Sequence, residues 1–250
     1  MKEWYQMNEE EVLKMLDADK NGLSSERAEE LLKMNGENVL QESKKKSALR
    51  VFAEQFADLL VIILIIAAII SMVSGNVEST IVIFAVITMN AILGTVQHEK
   101  AEKSLASLKT LSAPTAKVLR GGVKGEIPSA QIVKGDILLL EAGDLVTADG
   151  RILESYSLQV NESSLTGEST NVEKKAVVLE GEQALGDRIN MVYSGSLVTG
   201  GRAVVLVTAT GMETEIGKIA ALMNATKEKK TPLQVSLDKF GSQLAIVIMI

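Results

Sequence analysis

Val160-Asn161-Glu162-Ser163-Ser164-Leu165-Thr166-Gly167-Glu168-Ser169-Thr170 is the run from which the chain is best read. Its first residue closes a β-branched stretch, and the residues after it are small and polar, so a strand end passes into a turn. Gly167 frees the backbone to bend there, and Glu168 is left at the tip as a carboxylate. A carboxylate held out on a turn is presented to something outside its own domain. Turns rich in Ser and Thr are also common as plain surface loops, so the flanking segments carry the decision.

Working outward, the sequence falls into short β-branched runs divided by glycine. Thr115 to Arg120 and Val123 to Ile127 flank the turn Gly121-Gly122; Asp136 to Glu141 and Arg151 to Val160 follow. Met191 to Thr199 and Arg202 to Thr210 flank Gly200-Gly201, which reads as a two-residue hairpin. These runs predict a mostly-β domain over 109–225. Near the N-terminus, Asn8 to Leu16 and Ser24 to Met34 have helical spacing, with Ser24 as N-cap and Gly36 as the stop. They give an N-terminal helical segment over 1–49. Between them Asp17-Ala18-Asp19-Lys20-Asn21-Gly22 matches the first half of a calcium-binding EF-hand loop. The twelfth position, where a bidentate Glu belongs, is Ala28, so the run reads as a capped turn.

Two uncharged apolar runs, Leu59 to Val73 and Ile81 to Val96, separate the helices from the β domain. Each is shorter than the ~20 residues of a spanning helix, but their flanks point to a bilayer. Lys44, Lys45, Lys46 and Arg50 precede the first; His98, Lys100 and Lys103 follow the second; the connection Ser74 to Ser79 has no basic residue. That is the pattern of a membrane hairpin with both ends in the cytoplasm. The expected spans are 50–75 and 78–108, the second continuing past the bilayer as a charged stalk that Pro114 ends. A linker over 226–238 leads to an apolar helix start over 239–250, read as a third span cut short. The predicted class is a membrane α-helical hairpin plus a mostly-β cytoplasmic domain with N-terminal helices, in a multi-pass protein of the cell membrane.

A net charge of −6 with no clustered basic face argues against nucleic acid as a partner. The absence of cysteine rules out disulfides and thiolate metal sites. The one histidine, His98, reads as interfacial.

With these segments in place, the Thr166-Gly167-Glu168-Ser169 run resembles the Thr-Gly-Glu-Ser loop in the actuator domain of P-type cation-transporting ATPases, most closely calcium pumps of the sarco/endoplasmic-reticulum kind. Lys134-Gly135-Asp136 and Val146-Thr147-Ala148-Asp149-Gly150 resemble the family's Pro-Gly-Asp and Val-Pro-Ala-Asp turns, in the same order but without the prolines. Gly36-Glu37-Asn38, and Thr231-Pro232-Leu233-Gln234 with its strong helix-start pattern, resemble the family's segments before the first and third membrane helices.

The resemblance implies that Glu168, with Thr166, Gly167 and Ser169, handles the water that hydrolyses an aspartyl-phosphate on a separate domain. It implies that ATP and Mg2+ bind outside this chain and that Ca2+ is carried. The partners it implies are the lipid bilayer and the phosphorylation and nucleotide-binding domains of the same complete protein. Asp58, in Glu54-Gln55-Phe56-Ala57-Asp58-Leu59-Leu60, resembles the cytoplasmic mouth of the ion path; many such pumps have two adjacent acids there, and this chain has Ala57 beside Asp58. No Asp-Lys-Thr-Gly phosphorylation motif is present, and Asp238-Lys239-Phe240-Gly241 lacks the Thr, so the chain reads as the N-terminal part of a longer protein. Two other readings stand beside this one: a pump for another cation such as manganese, and a non-catalytic membrane-anchored β domain that binds a partner.

Overall fold

The computed structural model describes residues 2–40, 47–111 and 114–225, and single positions or short stretches at 233, 235–237, 239–241 and 243. The expected linker and third span, the Thr231-Pro232 helix start and the Lys44 to Lys46 cluster fall wholly or largely outside the described residues. In chain order the helices are α1 Glu9–Met15, α2 Ser25–Asn35, α3 Ala48–Gln55, α4 Leu59–Val73, α5 Val77–Leu111, α6 Ser163–Thr166 and α7 Glu215–Ala225. The strands are β1 Thr115–Arg120, β2 Val123–Pro128, β3 Ile137–Glu141, β4 Asp149–Asn161, β5 Asn171–Lys174, β6 Met191–Val192 and β7 Leu197–Ala209. They form two compact units, residues 1–42 with 113–226 and residues 43–112 with 227–250.

The first unit is an antiparallel sheet in the order β2-β1-β3-β7-β4-β5, with β6 pairing β4. Alternate residues of its long strands point inward, so Leu138, Leu140, Ile152, Leu158, Val160, Val205 and Val207 meet in one buried cluster. The N-terminal helices cover another part of the sheet. Asn8 caps α1 reciprocally with Glu11, and Ser24 accepts the Arg27 N–H at the head of α2. Val12 and Leu13 then pack on Ile137 and Leu206, while Ala28 packs with Leu23 and Val133.

The Asp17 to Gly22 turn is a docking element. Gly122 N donates to Asn21 O at 2.7 Å, and a Cβ on Gly22 would stand 1.8 Å from Leu119 O. At Lys134-Gly135-Asp136 the buried Asp136 takes two hydrogen bonds from Arg120, at 2.8 and 2.7 Å, and a third from Val133 N. A forked pair of this kind fixes direction as well as distance, so β1 and the turn before β3 are held in register.

Two expectations need correction. Gly200-Gly201 does not turn a hairpin: β7 runs straight through both glycines, and β6 ends at Val192. The pair lies opposite an irregularity in β4, where the register shifts between Tyr156 and Gln159 and Ser157 takes φ 52°. Gly201 sits at φ +74°, and a Cβ there would be 2.1 Å from Ser157 O. The glycines let two thirteen-residue strands stay paired across a bulge, which is a different use of the same permissive backbone.

In the second unit, the helix expected from 50 to 75 is two helices, α3 and α4, broken at Phe56 to Asp58. Phe56 N folds back to Ala53 O and Glu54 O to end α3, and Asp58 O accepts the Ile62 N–H as α4 begins. Asp favours such helix starts because its side chain competes for the backbone in a helix interior.

Helix α4 returns through Gly75, at φ +81°, into α5. Thr80 Oγ1 donates to Ala68 O at 3.3 Å across the pair, and Ala68, Ile87 and Ala91 are buried. Outward-facing Ile81, Val82, Phe84, Met89 and Ile92 are exposed apolar side chains, as a lipid-facing helix requires. Among the described residues, Val77–Leu105 is the helix long and apolar enough to cross a membrane; α4 is apolar but shorter, fifteen residues.

The two glycines of β7 are expected to differ on substitution. At Gly200 an added methyl meets only Gln159 side-chain atoms, 3.8 Å away, so Gly200→Ala should change stability by no more than about 0.5 kcal/mol. Gly201→Ala meets backbone at positive φ and should cost roughly 1–3 kcal/mol. Equal denaturation midpoints for the two variants would refute the bulge account.

Candidate functional site

Strands β4 and β5 are paired from Leu158 opposite Lys174 to Asn161 opposite Asn171, so residues 162–170 form the connection at one end of this ladder. The connection is built by local hydrogen bonds. Glu162 O accepts from Leu165 N at 2.9 Å, Thr166 N at 3.0 Å and Thr166 Oγ1 at 3.2 Å, which winds the single turn α6. Asn161 Oδ1 accepts from Ser163 N and Oγ at 3.1 and 2.6 Å, and Asn161 Nδ2 donates to Ser169 O at 3.4 Å. Gly167 ends the turn at φ +78° in the left-handed region, with nothing within 4 Å of where a Cβ would lie. Here the glycine is required by backbone conformation and not by crowding.

Thr166, Gly167, Glu168 and Ser169 are thus brought together on one turn. Thr166 Oγ1 accepts the Glu168 N–H at 3.3 Å, and the Glu168 side chain is exposed. The threonine hydroxyl faces both ways, donating into the turn and accepting from the tip, which orients the peptide that carries Glu168. Asp58 lies in the other compact unit, in the break before α4, and is exposed.

The turn rests on a buried layer. Leu165 packs with Tyr5, Met191 and Tyr193, and Ser164 Oγ donates to Gly195 O at 3.3 Å. The segment beneath is fixed in turn by Asp149, whose carboxylate accepts from Ser194 N and from Glu215 N, the head of α7, both at 2.8 Å. Asp149 is 4% exposed. Burial pushes its carboxyl up to about 6, against the two N–H donors that favour the charged form.

Two residues that the sequence reading passed over sit directly under the turn. Glu162 and Lys174 are 1% and 0% exposed, and their charges lie 2.7 Å apart. The ammonium stands at hydrogen-bonding distance from Oε1, and Oε2 has no donor among the described residues. Lys174 Nζ also donates to Arg188 O at 3.4 Å and lies 5.6 Å from the Tyr193 ring centre. Burial pushes the Glu162 carboxyl up and the Lys174 ammonium down, each partly restrained by the partner's charge. Breaking such a pair from one side typically costs about 3–5 kcal/mol, because the other charge is stranded. The signal was present in the strand period: Leu158 and Val160 are buried, and Glu162 is the next residue on that face.

A family model described as the P-type ATPase actuator domain matches residues 110–224, and one described as the cation transporter/ATPase N-terminus matches residues 4–71. The chain is 46% identical over 245 residues to calcium-transporting ATPase 1 of Lactococcus lactis, covering 98% of this chain and 28% of that protein. It is 44% identical over 247 residues to a calcium-transporting ATPase of Listeria monocytogenes, covering 99% and 28%. A probable cation-transporting ATPase F of Mycobacterium tuberculosis is 40% identical over 240 residues, covering 96% and 26%. The chain therefore spans 28% or less of the length of these relatives.

Asp149 gives the turn's foundation a pH dependence. Its folded pKa of about 6 lies above the ordinary 3.8, so the folded state binds the extra proton between those values. Its stabilising contribution is complete below about 4 and is lost as pH rises through 6. The stability of the wild type relative to Asp149→Asn should grow as pH falls from 6 to 4, by up to about 3 kcal/mol. Denaturation followed by the single tryptophan, Trp4, reads this out; a difference that stays flat with pH would refute the burial account.

Proposed function

The chain belongs to the P-type cation-transporting ATPases, and we propose that in the complete protein it supplies the actuator domain and first membrane hairpin of an ATP-driven calcium pump. The observation that carries the site assignment is Glu168: an exposed carboxylate on a turn whose backbone is fixed by Gly167 and by the Thr166 hydroxyl. In this reading Glu168 meets the aspartyl-phosphate of a separate domain. It holds a water in line and accepts a proton as the water oxygen attacks phosphorus; the phosphorus–oxygen bond to the aspartate breaks and the aspartate leaves as carboxylate. Thr166, Gly167 and Ser169 orient that turn. Rigid-body rotation of the domain between states would bring Glu168 to the phosphate and move the membrane helices together.

Among the described residues no three His, Asp or Glu side chains cluster as a metal site. ATP and Mg2+ enter the proposal through family membership, at the phosphorylation and nucleotide-binding domains, and the step above uses only this chain's own residues. Calcium is the proposed cargo because the relatives from Lactococcus and Listeria are named for it; the mycobacterial relative's name specifies only a cation, and manganese is the alternative. The hairpin is proposed to sit in the cell membrane with the N-terminus and the actuator domain in the cytoplasm, following the basic flanks.

In the complete protein, Glu168→Gln should still form the phosphoenzyme from ATP and lose it slowly, by ~10²- to 10⁴-fold. Phosphoenzyme decay after an unlabelled chase checks this; decay at the wild-type rate would leave the turn a plain loop and favour a partner-binding domain. Asp58→Asn should alter apparent calcium affinity or binding rate while phosphorylation by ATP persists. Calcium dependence identical to the wild type would reduce Asp58 to an interfacial anchor.

A further inference from the structure

The buried Glu162–Lys174 pair joins the two sides of the connection that carries Glu168. Glu162 is the residue whose carbonyl collects three hydrogen bonds to wind α6. Its side chain is directed inward to Lys174 on β5, beyond the point where the chain has returned to the ladder. One residue therefore both winds the turn and ties it to the opposite strand.

Stability does not account for this arrangement. Both groups are withdrawn from water, and beyond the one contact to Lys174 the second carboxylate oxygen has no hydrogen-bond donor among the described residues to offset that loss. An apolar pair of similar volume is commonly as stable or more so. What an apolar pair lacks is direction: two opposite charges in a water-free setting have one favoured placement, whereas apolar side chains slide. The aliphatic neighbours Leu158 and Val160 supply burial on the same face but nothing that fixes the turn's rotation about the strand end.

We propose that Glu162 and Lys174 are positioning residues, an internal ion pair that sets the orientation of the Thr166 to Ser169 turn and so aims Glu168. This rests on the reading of Glu168 as the dephosphorylation residue. Neither side chain reaches the surface, so neither touches the phosphate; they act through the backbone of the turn.

The test is made in the complete protein with the double variant Glu162→Leu/Lys174→Met, which removes both charges and strands neither, alongside Glu168→Gln. Three quantities are measured: thermal stability, hydrogen exchange of the amides of residues 163–168, and phosphoenzyme formation and decay. The expected result is stability at or above wild type, phosphoenzyme formed to the wild-type level, exchange in the turn accelerated at least about 10-fold while β4 and β7 are unchanged, and decay slowed at least about 10-fold. Wild-type exchange and wild-type decay in the double variant, with slow decay in Glu168→Gln, would overturn the positioning role and leave the reading of Glu168 intact. Wild-type decay in Glu168→Gln as well would overturn the link to dephosphorylation at its source. If the double variant does not fold, Glu162→Asp, which keeps both charges and shortens one arm, replaces it; a wild-type decay rate there overturns the proposal equally.

Discussion

The pairing of β4 with β7 is the interaction on which the rest of the first unit depends. Both strands are thirteen residues long, more than twice the usual strand. One end of their ladder organises the helical additions, where Ile137 and Leu206 receive α1. The other runs out to the turn at 162–170. Right-handed twist accumulates along strands of this length, and an uninterrupted ladder would force the two ends into a fixed angular relation. The ladder is interrupted by register shifts at four places along β4, the one between Tyr156 and Gln159 lying opposite Gly201.

A second constraint is the treatment of charge. Asp136, Asp149, Glu162 and Lys174 are all buried, yet each is handled differently. Asp136 is fully answered by Arg120 and a backbone N–H, a structural rivet with no loose ends. Asp149 is answered by two backbone N–H groups, with no ion pair to a cation among the described residues. Glu162 has a cation against one carboxylate oxygen and no donor to the other among the described residues. Glu162 and Lys174 lie under the turn, while the buried Arg151, whose Nε also has no partner among the described residues, donates to the carbonyls of Met7, Ile152 and Val177.

Much of this was legible because the signals are local. The β1 boundaries follow directly from β-branched residues and the Gly121-Gly122 turn, and the caps at Ser24 and Gly36 follow from side-chain chemistry. The turn at Gly167 was legible for the same reason. What was lost needed partners distant in sequence. Gly200-Gly201 has a hairpin's composition, and only the irregular strand opposite turns it into a bulge; Ser157, with its left-handed backbone, is not a residue that announces one. The break before α4 was hidden by the hydropathy of its surroundings, although aspartate is a residue type that favours helix starts. Glu162 and Lys174 are twelve positions apart, and their pairing depends on a hairpin register that composition does not encode. Thr147 stands where the family resemblance has proline, and its buried hydroxyl has no partner among the described residues, while its carbonyl accepts a hydrogen bond from Asn38.

That contact has a mechanical meaning. Asn38 Nδ2 donates to Ser129 O at 3.0 Å and Thr147 O at 2.9 Å, and Asn38 Oδ1 accepts from Gly211 N at 2.7 Å. Asn38, Leu40, Pro114, Gly211 and Ile216 all border one small cavity, so the end of the N-terminal segment, the start of the β domain and the head of α7 meet at a single corner of this unit. A pull on Leu40 would thus be felt within two residues at Asn38, whose one amide would pass it to three stretches, 91, 109 and 173 positions further along the chain.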